Sequence, residues 1–137
     1  MSELSTRMGL IKDALGAMYP DRIVTRDFRD PADRSAADLA RGIYTLLSAS
    51  EGNFTNVPGY SAQDGRQDMV IVADIQIHED DAPSNVEDAE FDFVDEIKAF
   101  ARSLPDTLCT MNLMSWVQSG QVAAPRGWVV FQLEYIP

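Results

Sequence analysis

Asp68-Met69-Val70-Ile71-Val72-Ala73-Asp74-Ile75-Gln76-Ile77-His78 is the stretch whose pattern decides the fold. Met69, Ile71, Ala73, Ile75 and Ile77 fall on one side of an extended chain, and Val70, Val72, Asp74, Gln76 and His78 on the other. A period of two predicts a strand with one face in a core. Glu79-Asp80-Asp81-Ala82-Pro83 then reads as a turn, and Ser84 with Glu87 has capping-box spacing. The helix they open is predicted to run to about Leu104, before Pro105. Val86, Ala89, Phe93, Val94, Ile97, Phe100, Ala101 and Leu104 form its apolar stripe. Its acids come early and Lys98 and Arg102 late, which suits the helix dipole.

Downstream, a hairpin is predicted with arms at about Asn112–Ser119 and Gly127–Ile136, around a loop holding Gly120 and Pro125. Upstream, Leu4, Met8, Ile11, Leu15 and Met18 recur at spacings of four and three, one face of a helix that Pro20 ends. Arg22–Phe28 reads as extended, and Asp30-Pro31 opens a loop or short helix through Ser35–Arg41. Gly42–Ala49 admits helix or strand; its β-branched and aromatic residues favour strand. Glu51–Gln67, rich in Gly, Asn, Ser and Pro, is predicted to be a long mobile loop. The order helix, strand, strand, strand, helix, strand, strand predicts an α+β fold. Its sheet should be single, mostly antiparallel or mixed, with two helices packed on one face. A length of 137 residues supports one domain.

The chain carries 22 acidic residues against 11 Lys and Arg, a net charge of −11. That argues against binding nucleic acid by phosphate neutralisation and against an anionic membrane as partner. The charge is uneven. Met1–Arg41 is balanced, with seven basic and seven acidic residues, whereas Glu51–Glu96 has thirteen acids and only Arg66 as a base. One thiol, Cys109, makes no internal disulfide, and the N-terminus lacks the unbroken apolar core of a signal peptide. A soluble, cytoplasmic protein is expected.

Signs of catalysis are sparse. The single histidine, His78, stands beside Glu79, Asp80 and Asp81, but a catalytic metal site draws three ligands from several elements. The acids leave room for weak binding of a divalent ion, although the calcium-loop spacing is absent and no cofactor is predicted. No Gly-x-Ser-x-Gly elbow and no phosphate loop occur. The sequence therefore predicts no enzyme. Two alternatives stay open: a small acidic metal-dependent enzyme centred on His78, and an acidic inhibitor domain.

The strands suggest a partner surface instead. Tyr44, Leu46, Val70, Val72, Met114, Trp116, Trp128 and Val130 are read as a second sheet face left to water. Large exposed apolar patches mark interaction sites, and Trp anchors them. The charge asymmetry adds a complementary pair. Arg22, Arg26, Arg29 and Arg34 of one copy are expected to face Glu79, Asp80, Asp81, Glu87 and Asp88 of another. Candidate partner-binding residues are thus Arg22, Arg26, Arg29, Arg34, Asp80, Asp81, Trp116 and Trp128.

The layout resembles phage tail terminator proteins, a group that includes the minor tail protein U of long-tailed phages. The resemblance runs through the helix Met8–Met18, Arg22-Ile23-Val24-Thr25-Arg26-Asp27-Phe28 and Leu39-Ala40-Arg41-Gly42-Ile43-Tyr44-Thr45. It continues in the Asp68–His78 strand, the Val86–Leu104 helix and the closing Gly127–Ile136 strand. It implies a virion assembly protein without enzymatic activity, forming a hexameric ring. The ring would cap the tail tube and offer its end to head-completion proteins. The implied locations are the host cytoplasm during assembly and then the virion tail, for a phage or prophage gene product.

Overall fold

The computed structural model describes residues 2–52, 65–105 and 107–136. In chain order the elements are α1 (Glu3–Met18), β1 (Ile23–Thr25), a 3-10 turn (Pro31–Asp33), α2 (Ala36–Arg41), β2 (Ile43–Gly52), β3 (Arg66–Gln76), α3 (Ser84–Ser103), β4 (Thr110–Gln118) and β5 (Arg126–Ile136). The strands form one sheet in the order β1-β2-β3-β5-β4. β1 and β2 are parallel and the other pairs antiparallel. The fold is α+β: a mixed five-stranded sheet with two main helices packed on it.

The core lies between that sheet and α1 with α3. Met8, Ile11 and Leu15 come from α1, and Phe93, Val94, Ile97 and Phe100 from α3. They meet Met69, Ile71, Ala73 and Ile75 of β3 and Val129, Phe131, Leu133 and Tyr135 of β5. These are the alternating positions the sequence assigns to a core face. Ser2 caps α1 by accepting the Ser5 amide at 3.1 Å, satisfying a donor that the first helical turn leaves free. Pro20 follows its end.

The capping box at α3 does not form. Pro83, φ −55°, already stands at the cap position, and the Asn85 amide bonds the Ala82 carbonyl at 2.9 Å. The helix therefore starts early enough to put Ser84 inside it, and Glu87 accepts instead from Gln121 Nε2 at 3.0 Å. Other boundaries move as well. β3 ends at Gln76, so Ile77 and His78 lie beyond it. Glu51 and Gly52 extend β2, and Arg66 and Gln67 begin β3, so the ends of the loop expected over 51–67 are paired strand. Its remainder, 53–64, lies outside the described residues.

The expected second sheet face also changes. Tyr44 stands opposite Ala73 and Leu46 opposite Ile71, which puts both on the helix-covered face, where they are fully buried. Trp116 pairs with Phe131 and packs against the same core. A bulge between Leu113 and Ser115 is the cause in β4: one extra residue reverses the alternation, so Leu113 and Trp116 share a face. In β2 the alternation is regular over 43–48, and its phase relative to β3 is set by pairing register.

Because β1 and β2 are parallel, the chain must cross back along the sheet between them. It does so through the 3-10 turn and α2, over the face opposite α1 and α3. α2 packs against β3, and buried Leu39, Ile43 and Thr45 stand outside the main core cluster. One end of the outer face is thereby covered.

Two carboxylates of α3 fasten the layers. Glu96 receives Arg22 through Nε at 3.2 Å and Nη2 at 2.7 Å, and the Tyr44 hydroxyl at 3.0 Å. The Arg22 guanidinium also lies 4.6 Å from the Phe93 ring centre. Gly42, at φ +85°, brings the start of β2 against this group; a Cβ there would come 2.5 Å from Arg22 Nη1. Glu90 is fully buried at the other side of the helix. It accepts from the Ser119 hydroxyl, the Gly120 amide at 2.9 Å and the Trp128 amide at 2.8 Å. Gly127 admits it, since a Cβ there would meet Val86 Cγ1 at 2.8 Å and Glu90 Oε2 at 3.0 Å.

Removing the Glu90 carboxylate leaves the part-buried Gly120 amide without its acceptor and the Trp128 amide with only a long bond, 3.4 Å, to Ser119 Oγ. Each such group costs about 1–3 kcal/mol. Glu90→Ala is expected to lower unfolding free energy by about 3 kcal/mol in a urea titration, and Glu90→Gln by less. An unchanged midpoint for both would show that the hairpin is held by other contacts.

Candidate functional site

Strand pairing puts the outer residues of the sheet in lateral rows. Thr25, Thr45, Val72, Val130 and Val117 form one row, running from β1 to β4. The row on one side is Ile23, Ile43, Asp74 and Trp128. On the other side lie Leu47, Val70, Gln132 and Ser115. The chain's own crossover buries Ile43 and Thr45. Val70, Val72 and Val130 remain half-buried, Trp128 is 36% exposed and Val117 60% exposed. A belt of apolar side chains thus crosses the outer face towards β4, with Asp68, Glu134 and Arg66 beyond it. Arg66 pairs with Glu134 at 3.1 Å.

The candidate partner residues separate into surface and interior. Trp128, Arg26, Arg29, Asp80 and Asp81 are exposed. Arg26 makes a long hydrogen bond from Nη1 to the Ser5 carbonyl, 3.3 Å. Arg34 is half-buried, with Nη2 bonded to the Asp27 carbonyl at 3.0 Å, inside the crossover. Arg22 is withdrawn from the proposed arginine patch by Glu96, and Trp116 is withdrawn from the outer face by the bulge. Val117 and Leu47 enter the outer face in place of Tyr44, Leu46 and Trp116. No alternation count finds Val117, because the bulge at Met114 has no signature in the sequence.

The two surface charge groups stand at opposite ends of the sheet. Arg26 follows the last residue of β1 and Asp80–Asp81 follow the end of β3, and these strands run in opposite directions. Asp74 sits between them on the outer face. Burial raises its carboxyl above the usual range, against the opposing pull of Arg34 and Arg126.

His78 is exposed. Its Nδ1 accepts the Asp80 amide at 3.2 Å and lies 3.6 Å from the Asp80 carboxylate. Among the described residues, no group of three or more His, Cys, Asp or Glu side chains is placed to hold a metal ion. Cys109 is buried, and burial raises its thiol pKa, opposed by Arg7. A shallow groove of about 230 Å³ beside α1 is lined by Glu3, Thr6, Arg7, Leu10, Thr107 and Leu108. No helix of the described residues is long and apolar enough to cross a membrane. Compared with known families and with curated proteins, the sequence matches no family model and has no significant curated match.

Two outcomes follow from these settings. A carboxyl whose folded pKa is raised weakens the fold at pH values above it, and the weakening disappears as pH falls through it. Asp74→Asn is therefore expected to raise the melting temperature at pH 7. The gain should shrink as the pH approaches the ordinary carboxylate range; a gain that grows on acidification would reverse the assignment. His78→Ala removes an exposed ring and is expected to shift stability by less than about 0.5 kcal/mol and to leave self-association intact. Loss of a hydrolytic activity on that substitution would instead point to catalysis at the acidic turn.

Proposed function

We propose that the chain is a structural virion-assembly protein of the tail-terminator kind. Copies join head to tail in a ring, hexameric by the resemblance. The ring caps the tail tube and presents its end to head-completion proteins, by binding alone. It assembles in the host cytoplasm and remains in the virion tail.

The observation that carries the reading is the separation of two exposed patches of opposite sign. Head-to-tail contacts join two different surfaces, so a ring-forming subunit needs complementary patches apart from each other. Arg26 and Arg29 lie on the crossover side, and Asp80 and Asp81 at the opposite end of the sheet. Exposed ion pairs contribute only about 0–1 kcal/mol each. Charge accordingly sets register and encounter rate, while apolar surface supplies most of the affinity. The outer belt of Val70, Val72, Val130, Val117 and Trp128 is available for that role, and Trp128 is its aromatic anchor.

Charge reversal tests this arrangement. Arg26→Glu with Arg29→Glu is expected to weaken self-association by about tenfold or more, because like charges then face each other. Adding Asp80→Lys and Asp81→Lys should restore part of it. Sedimentation of the single and combined variants reads the result, and absence of recovery in the combined variant would mean that the patches do not meet.

A further inference from the structure

Among the described residues, both outer strands of the sheet have one free edge: β1 pairs only with β2 and β4 only with β5. A free edge presents unpaired amides and carbonyls, and natural proteins commonly protect it with lysine, proline or another charge. The β4 sequence, Thr-Met-Asn-Leu-Met-Ser-Trp-Val-Gln, has no charged residue and no proline, in a chain that is 24% charged. Its one irregularity is the bulge between Leu113 and Ser115. The bulge breaks the edge into two parts and leaves Ser115–Gln118 as a regular segment.

That segment matches the opposite edge in direction and level. β1 and β2 run together, and each of the three antiparallel steps to β4 reverses the direction, so β4 runs opposite to β1. Copies related by rotation about an axis along the strands would therefore meet β4 to β1 in antiparallel fashion. A closed ring also requires no rise from copy to copy. Thr25 and Val117 lie in the same lateral row, so the two edges already stand at one level. At that level Thr25 faces Val117 and Val24 faces Gln118, while Ile23 faces Ser119, one residue past the end of β4. The faces agree too. Val24 is on the core side beside α1, in the row of Gln118, and Thr25 is on the outer side, in the row of Val117. Gln118 Oε1 is a buried side-chain oxygen without a hydrogen-bond partner among the described residues, at the end of the segment that a neighbouring strand would cover.

We propose that the Ser115–Gln118 edge of β4 pairs antiparallel with Ile23–Thr25 of the next copy, so that the sheets of neighbouring subunits join around the ring. The inference rests on the ring reading above but not on its charged contact: copies joined edge to edge at one level keep Arg26 and Asp80–Asp81 at different levels, so the two contacts are alternatives that the charge-reversal and crosslinking experiments separate. Backbone hydrogen bonds give this contact its geometry. The absence of charge on β4 lets strongly acidic copies approach there without like charges across the seam.

Directly opposite residues of antiparallel strands have Cα atoms about 4.5–5.5 Å apart, within disulfide reach. The full chain carrying Thr25→Cys and Val117→Cys is oxidised mildly at a concentration where oligomers sediment. Native Cys109 stays in place, since it is buried. A ladder of reducible covalent oligomers is expected from the double variant, with each single variant remaining monomeric on a denaturing gel. Thr25→Cys with Ser115→Cys reads a pairing shifted along the strand. Oligomers that sediment normally yet give no ladder with either pair would overturn the edge contact and leave the ring reading standing. A covalent dimer from Val117→Cys alone would show β4 meeting its own twin, and would also overturn it. A wild-type chain that sediments as a monomer at every concentration would remove the ring and this contact together.

Discussion

The ion pair between Arg22 and Glu96 is the contact through which the halves of the molecule are referred to each other. Arg22 precedes β1, which has only three residues and one neighbour. So short an edge strand holds its place poorly on ladder bonds alone. Arg22 anchors it with two bonds to Glu96 on α3 and a third, 2.8 Å, to the Arg41 carbonyl beside the start of β2. Tyr19, at the end of α1, donates its hydroxyl to the Glu96 carbonyl at 2.9 Å. Two helices and the parallel strand pair therefore meet at one residue, Glu96, through its carboxylate and its backbone carbonyl. Burial and Glu96 both raise the Tyr44 hydroxyl far above its usual pKa, which keeps it protonated as a donor. Half-burial lowers the Arg22 pKa, but its hydrogen bonds to Glu96 and the charge of that carboxylate outweigh the lowering, and the pKa is raised.

Glu90 does the corresponding work on the far side of α3. A carboxylate with no solvent access is costly unless donors surround it. Here the donors are backbone amides and a hydroxyl of the β4–β5 connection, so one helical side chain defines where the hairpin turns. Helix α3 thus aligns β1 and β2 through Glu96 and β4 and β5 through Glu90. The level relation between the two sheet edges follows from these two attachments as well as from the ladder.

Much of the architecture was legible because the main signals were local. The alternation of β3 and β5, the stripe of α3 and the prolines after α1 and α3 each carry their own physical cause. The faces of Tyr44, Leu46 and Trp116 were not legible. A strand's period says which residues share a side, but which side is inward depends on pairing with a partner distant in sequence. In β4 a single extra residue reverses the pattern, and no residue type marks it. Arg22 looked like its neighbours Arg26, Arg29 and Arg34 as a charged residue in a polar stretch. Its difference lies in Glu96, 74 positions away. The buried role of Glu90 was hidden in the same way among the acids of α3.

The distribution of charge then bears on where a partner can sit. Acidic residues crowd the solvent side of α3 and the turn before it, and these surfaces repel one another between copies. The described part of β4 is neutral, the outer belt is apolar, and the exposed arginines border the crossover. A self-contact can use those regions, or set the exposed arginines against the acidic turn, whereas two acidic helix surfaces brought together would place like charges across a drying interface. The inward turn of Arg22 sharpens this constraint. It leaves Arg26 and Arg29 exposed beyond the end of β1, on the side where a neighbour's uncharged edge would arrive. The pairing that builds the interior also sorts the surface. One arginine closes the subunit, and those beyond it remain available to a second copy.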